Sequence, residues 1–127
     1  MFGKARGNVQ WLAEVEEHNF TAAESYLSMI RTSERAAQLV TALRSAGLSR
    51  FLAKDMFRAS QLTLLGVSNS HVEKDRKKIE DGTALSPLLL MRDEANGKVV
   101  VADGYHRLCA VYEFDEDAWI PCKIISG

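Results

Sequence analysis

Residues 87–107, PLLLMRDEANGKVVVADGYHR, constrain the fold more than any other stretch of this chain. Pro87 introduces a continuous apolar run, Leu88–Met91, and Lys98–Ala102 supplies a second, each of strand length. The intervening Asp93–Gly97 contains Asn-Gly, whose backbone freedom favours a tight reversal, so the two runs are expected to pair as a hairpin. The second run stops at Asp103-Gly104, and residues 105–114 then read as a helix, with Leu108, Ala110, Val111 and Phe114 available for burial. A buried strand thus passes into a helix through one glycine, with His106 and Arg107 at the junction.

That junction has two physical readings. A helix N-terminus presents unpaired N–H groups and partial positive charge, which together favour a bound phosphate. Gly104 lets a ligand approach the backbone and tolerates positive φ. Arg107 in the first turn offers a bidentate, permanently charged clamp, and His106 a donor in either charge state. In the other reading the turn is closed by Asp103, whose carboxylate can cap the same N–H groups. A phosphate would then bind beside Asp103, or Mg²⁺ would bridge the two, making Asp103 the candidate metal ligand.

The first sixty residues read as helical. Residues 8–18 place Trp11, Leu12 and Val15 on one side. Thr21 with Glu24 has capping-box spacing ahead of Tyr26, Leu27 and Ile30. Thr32 or Ser33 opens a third helix, with Ala36, Leu39, Val40 and Leu43 at helical spacing and Gly47 as its stop. A short helical turn over 53–59 carries Met56 and Phe57, and no strand is expected in this half. From there the period changes. Gln61–Gly66 is β-prone, and Ser70 with Glu73 forms a second capping box on a helix that ends at Gly82 with Val72 and Ile79 inward. After the hairpin and the 105–114 helix, the acidic loop Asp115–Asp117 leads through Trp119 to a closing strand, Ile120–Ile125. The expected division is a helical extension, 1–59, and an α+β domain, 60–127.

Charge narrows the partners. The formal net charge is −1. Residues 1–69 hold eight Lys/Arg against six Asp/Glu, whereas residues 70–127 hold eight against eleven. The half with the junction is acidic, which argues against DNA, and any phosphate there must be held by local geometry. Cys109 and Cys122 have neither metal spacing nor a disulfide framework and read as buried thiols of a reducing cytosol. No apolar run reaches membrane-spanning length and no signal-peptide core stands at the N-terminus, so a cytoplasmic protein without membrane contact is expected.

Residues 60–126 resemble the ParB/sulfiredoxin-like superfamily. The likeness lies in HVEKDRKKIEDGTALSPLLLMRD, then KVVVADGYHRLCAVYEF, then WIPCKII, in that order and with short connections. It implies a mixed sheet with helices, here preceded by the helical extension, and a site for nucleotide phosphates at the Asp-Gly junction. ATP or CTP with Mg²⁺ would be the ligand, held by Asp103, Gly104, Tyr105, His106 and Arg107, with Ser86 as a further phosphate contact. Sulfiredoxins place a catalytic cysteine where this chain has Tyr105, and a phenol cannot repair a sulfinic acid. ParB proteins follow the domain with a helix-turn-helix, and none is found in this sequence. Related free-serine kinases use a glutamate near the early helix as base, for which Glu73 is the nearest candidate and His71 the next.

Two classes of function follow. One is a Mg²⁺-dependent NTP hydrolase or phosphotransferase, in which positioning and electrostatics supply most of the catalysis. The other is a non-catalytic module that responds to a nucleotide or small anion, its N-terminal helices serving a homo-oligomer or protein contact. A chromosome-partition accessory that touches DNA is a third reading, carried by the resemblance and opposed by the charge.

Overall fold

Leu88–Leu90 and Val99–Ala102 are apolar at consecutive positions because both faces of their sheet are covered. A computed structural model describes residues 8–127 and has an α+β architecture, five α-helices and a four-stranded mixed sheet among these residues. Residues 1–7 of the expected extension lie outside them. In chain order the elements are α1 (Glu17–Ile30), α2 (Ser33–Ser45), β1 (Ser49–Leu52), α3 (Ala53–Ser60), α4 (Ser70–Asp81), β2 (Leu88–Asp93), β3 (Lys98–Asp103), α5 (Tyr105–Phe114) and β4 (Trp119–Ser126). The strand order is β1-β4-β2-β3. β2 and β3 form the expected antiparallel hairpin, closed by a 3₁₀ turn over Glu94–Asn96. β4 runs parallel to β2 and antiparallel to β1.

Strand alternation divides the core in two. Leu88, Leu90, Val101, Ile120 and Cys122 face one way, with Met56 of α3, Val72 and Ile79 of α4, and Leu108 and Val111 of α5. Leu89, Met91, Val100 and Ala102 face the other way, against Phe20, Ala23 and Leu27 of α1 and Ala36, Leu39, Val40 and Leu43 of α2. The sheet is therefore the middle of three layers, as a near-continuous apolar β2 requires. No helix among the described residues is long and apolar enough to cross a membrane.

Several local expectations need correction. Residues 8–16 are not helical. Trp11 bridges Leu85 in parallel, with Leu12 N–H donating to the Leu85 carbonyl at 2.8 Å and Leu85 N–H to the Gln10 carbonyl at 2.9 Å. A backbone pairing seventy residues away overrides the local apolar spacing. α1 begins at Glu17, so Thr21 and Glu24 lie within it and form no capping box. Its start is fixed instead by buried Ser86, whose Oγ accepts from Glu16 N–H at 3.0 Å and Asn19 Nδ2 at 2.7 Å. Thr32 does cap α2, accepting from Arg35 N–H. The N-terminal half contains a strand after all: β1 pairs Ser49–Leu52 with Cys122–Trp119. Gln61–Gly66 belongs to no strand, the chain leaving α3 through Gln61 at φ 57°. The cap of α4 is Asn69, whose Oδ1 accepts from His71 and Val72 N–H, rather than a Ser70–Glu73 box. Cys109 and Cys122 are free and buried, as expected.

Candidate functional site

Gly104 is the N-cap of α5, at φ 113°, a conformation that residues with a Cβ rarely adopt. Space demands glycine as well, because a Cβ there would lie 2.6 Å from Leu88 Cγ and 2.9 Å from Arg107 Nη2. No side chain caps this helix, which corrects the capping expected of Asp103. The Asp103 carboxylate turns instead to Arg107, accepting from Nη2 at 3.1 Å. Arg107 Nη2 also reaches the Pro87 carbonyl at 3.4 Å, while its Nε is buried without a hydrogen-bond partner. An orphaned guanidinium N–H beside an uncapped helix N-terminus is unusual, since buried donors are nearly always paired.

The second wall is one face of α4. His71, Lys74, Asp75 and Lys78 recur at i, i+3, i+4 and i+7, and they line a cleft of about 300 Å³ together with Asp103, Gly104, Tyr105, His106 and Arg107. His18 on α1 completes the lining, so all three histidines of the chain meet here. The rings of His71 and His106 stand 4.8 Å apart, centroid to centroid, tilted by 34°. Tyr105 packs beside His106 at 5.6 Å, and its hydroxyl donates to the Thr63 carbonyl, tying the 61–66 segment to the cleft's rim.

Lys74, Lys78, Arg107 and three imidazoles oppose Asp75 and Asp103, so the cleft is locally basic within an acidic half of the chain. Burial holds the His106 imidazole below its ordinary pKa, and His71 and Arg107 depress it further against the pull of Asp75. Burial likewise raises Asp75, opposed by Arg107, Lys78, His106 and Lys74.

The structure brings together His71, Asp103, Gly104, Tyr105, His106 and Arg107. It does not bring Glu73 or Ser86 to them. Glu73 is held by Arg76, with Nε and Nη2 each at 2.8 Å from its two oxygens, and Ser86 is only 3% exposed and engaged at the start of α1. Asp75 and His18 escaped the sequence reading. The i, i+3, i+4, i+7 spacing of 71, 74, 75 and 78 could have revealed Asp75, whereas His18 is placed by tertiary packing alone. No group of three or more His, Cys, Asp or Glu among the described residues could hold a metal ion. No protein-family model, curated protein or solved structure matches this chain.

Proposed function

We propose that the cleft between α4 and α5 binds the phosphates of a nucleotide, and that residues 60–127 form a ParB/sulfiredoxin-like unit whose sheet is completed by β1 and covered on its other face by α1 and α2. One observation carries the reading: the uncapped N-terminus of α5, with the unpaired Arg107 Nε beside it, in a cleft of lysines and imidazoles. Backbone N–H groups of the first turn and Arg107 would take the phosphate oxygens, with His106, His71, Lys74 and Lys78 around them. Asp103 is engaged with Arg107 and has too few neighbouring ligands for a protein-held metal, so Mg²⁺ would arrive on the phosphates of ATP or CTP.

The position of Glu73 favours a binding module over an NTPase or phosphotransferase, because the carboxylate proposed as base is committed to Arg76 outside the cleft. In a module of this kind the nucleotide acts as a switch, and the N-terminal helices serve a protein or homo-oligomer contact.

Thermal unfolding with ATP, CTP, GTP and pyrophosphate, each with and without Mg²⁺, tests the proposal. A ligand at one hundred times its Kd stabilises the folded chain by about 2.7 kcal/mol, which is roughly 10 °C for a chain of this size. At least one of these ligands is expected to raise Tm, with the gain lost in R107A. No shift with any of them overturns the proposal. Release of phosphate from a bound nucleotide would restore the enzymatic reading.

A further inference from the structure

The imidazole pair refines the kind of anion the cleft takes, an inference that rests on the phosphate-site reading above. The His71 and His106 rings are 4.8 Å apart in the same cleft as Arg107, Lys74 and Lys78. Two imidazolium ions at that distance, next to three permanent or near-permanent cations, repel one another, and the cleft's carboxylates number only two. We propose that His106 takes up a proton when a doubly charged phosphate enters the cleft, so that the site prefers a dianionic terminal phosphate to a singly charged group and binds it more tightly as pH falls.

The surroundings of His106 set the sign. The cleft around it is lined from α4 by His71, Lys74, Asp75 and Lys78, from β3 by Asp103, from its own helix by Tyr105 and Arg107, and from α1 by His18. With the cleft free of anion, burial, His71 and Arg107 all favour the neutral ring, and Asp75 alone is a significant counterweight. A dianion reverses that balance by outweighing the neighbouring cations. Between the free and bound midpoints, one proton enters with each anion, and affinity changes by up to about tenfold per pH unit. Above the bound midpoint the ring is neutral with or without ligand, and affinity levels off. A singly charged anion compensates less of the repulsion and gives a shallower slope.

Sulfate is the probe, because it keeps both charges from pH 5 to 8, and methanesulfonate is its singly charged counterpart. Binding of each is measured by calorimetry at several pH values, with ionic strength held constant by NaCl because exposed lysines respond to screening. Imidazole NMR signals, assigned with H18Q, H71Q and H106Q, are followed in the same samples. The expected result is sulfate affinity that rises several-fold from pH 7.5 to 6, a smaller rise for methanesulfonate, and a His106 midpoint that moves upward with sulfate. H106Q should flatten the sulfate profile, and the wild-type NMR titration decides the matter if that variant does not fold. Sulfate binding with equal affinity at both pH values, or an unmoved His106 midpoint, overturns the proton link and leaves the phosphate site standing. No sulfate binding at any pH, together with no nucleotide or pyrophosphate binding, overturns both.

Discussion

Replacing Gly104 with alanine separates the two demands made on this position. At φ 113° a Cβ costs about 1–2 kcal/mol through its clash with the backbone. The same Cβ would lie 2.6 Å from Leu88 Cγ, and Leu88 is fully buried within the sheet, so the neighbour can yield only by disturbing the core. Overpacking of that kind adds about 1–3 kcal/mol, and G104A is expected to lose about 2–5 kcal/mol in all. Two other glycines isolate the terms. Gly82 also has positive φ, 75°, but nothing within 4 Å of a Cβ, so G82A should lose only the backbone part. Gly47 has neither restriction, and G47A should be neutral or slightly stabilising, by about 0.4–1 kcal/mol at most. Urea unfolding followed by circular dichroism gives all three values on one scale. If G104A loses no more than G82A, the close approach of α5 to β2 is wrong, and with it the placement of Arg107.

Other outcomes follow from the same contacts. S86A should lose about 1–3 kcal/mol in urea unfolding, because Glu16 N–H and Asn19 Nδ2 lose their acceptor, while pyrophosphate binding stays unchanged. Because folding depresses the pKa of His106 below its ordinary 6.5, the stability it confers is complete above that value and declines as pH falls through the lowered one. Tm in a sulfate-free buffer should therefore fall as pH is lowered through the window that opens below 6.5. Half-buried Asp75, raised by folding, acts in the opposite sense, its contribution growing as pH falls through its raised pKa and complete below 3.8. A Tm that is level or rises across the window, with H106Q behaving as the wild type, would count against the burial of His106. Burial pushes Cys122 up to about 11 and raises Cys109, so neither thiol should react with a disulfide reagent at pH 8 until denaturant is added, when two should. Rapid native reactivity of either would contradict the packing of β4 or α5.

What could be read from sequence was whatever is decided locally. The hairpin, α5 and β4 were legible because Pro87, Asn96-Gly97, Gly104 and the acidic loop at 115–117 punctuate apolar runs of the right length. Gly82 marked the end of α4 for the same reason, adopting the left-handed C-cap conformation. The N-terminal segment failed where long-range pairing decides. Trp11, Leu12 and Val15 have helical spacing, yet the backbone of residues 10–12 is claimed by Leu85. The four residues SRFL form a strand because β4 leaves an edge for them, and four residues between two helices carry too little alternation to announce it. Gln61–Gly66 has the composition of a strand, but its Leu65 N–H donates to Cys109 Sγ and its Thr63 carbonyl accepts from Tyr105, which hold it against α5 and outside the sheet. In the candidate site, the residues of DGYHR line the cleft together, because they are consecutive at one strand–helix junction. On the α4 wall the sequence singled out His71 and Glu73 but not Asp75, which lines the cleft with His71 whereas Glu73 pairs with Arg76.

The most direct test of the phosphate site is an amide ¹H–¹⁵N titration of the wild-type chain with pyrophosphate at pH 7 and constant ionic strength. The uncapped helix start predicts saturable shifts concentrated at the backbone amides of Tyr105, His106 and Arg107, with smaller ones along His71–Lys78, and their loss in R107A. Saturable shifts confined to another part of the chain, or none at millimolar pyrophosphate, would contradict the account.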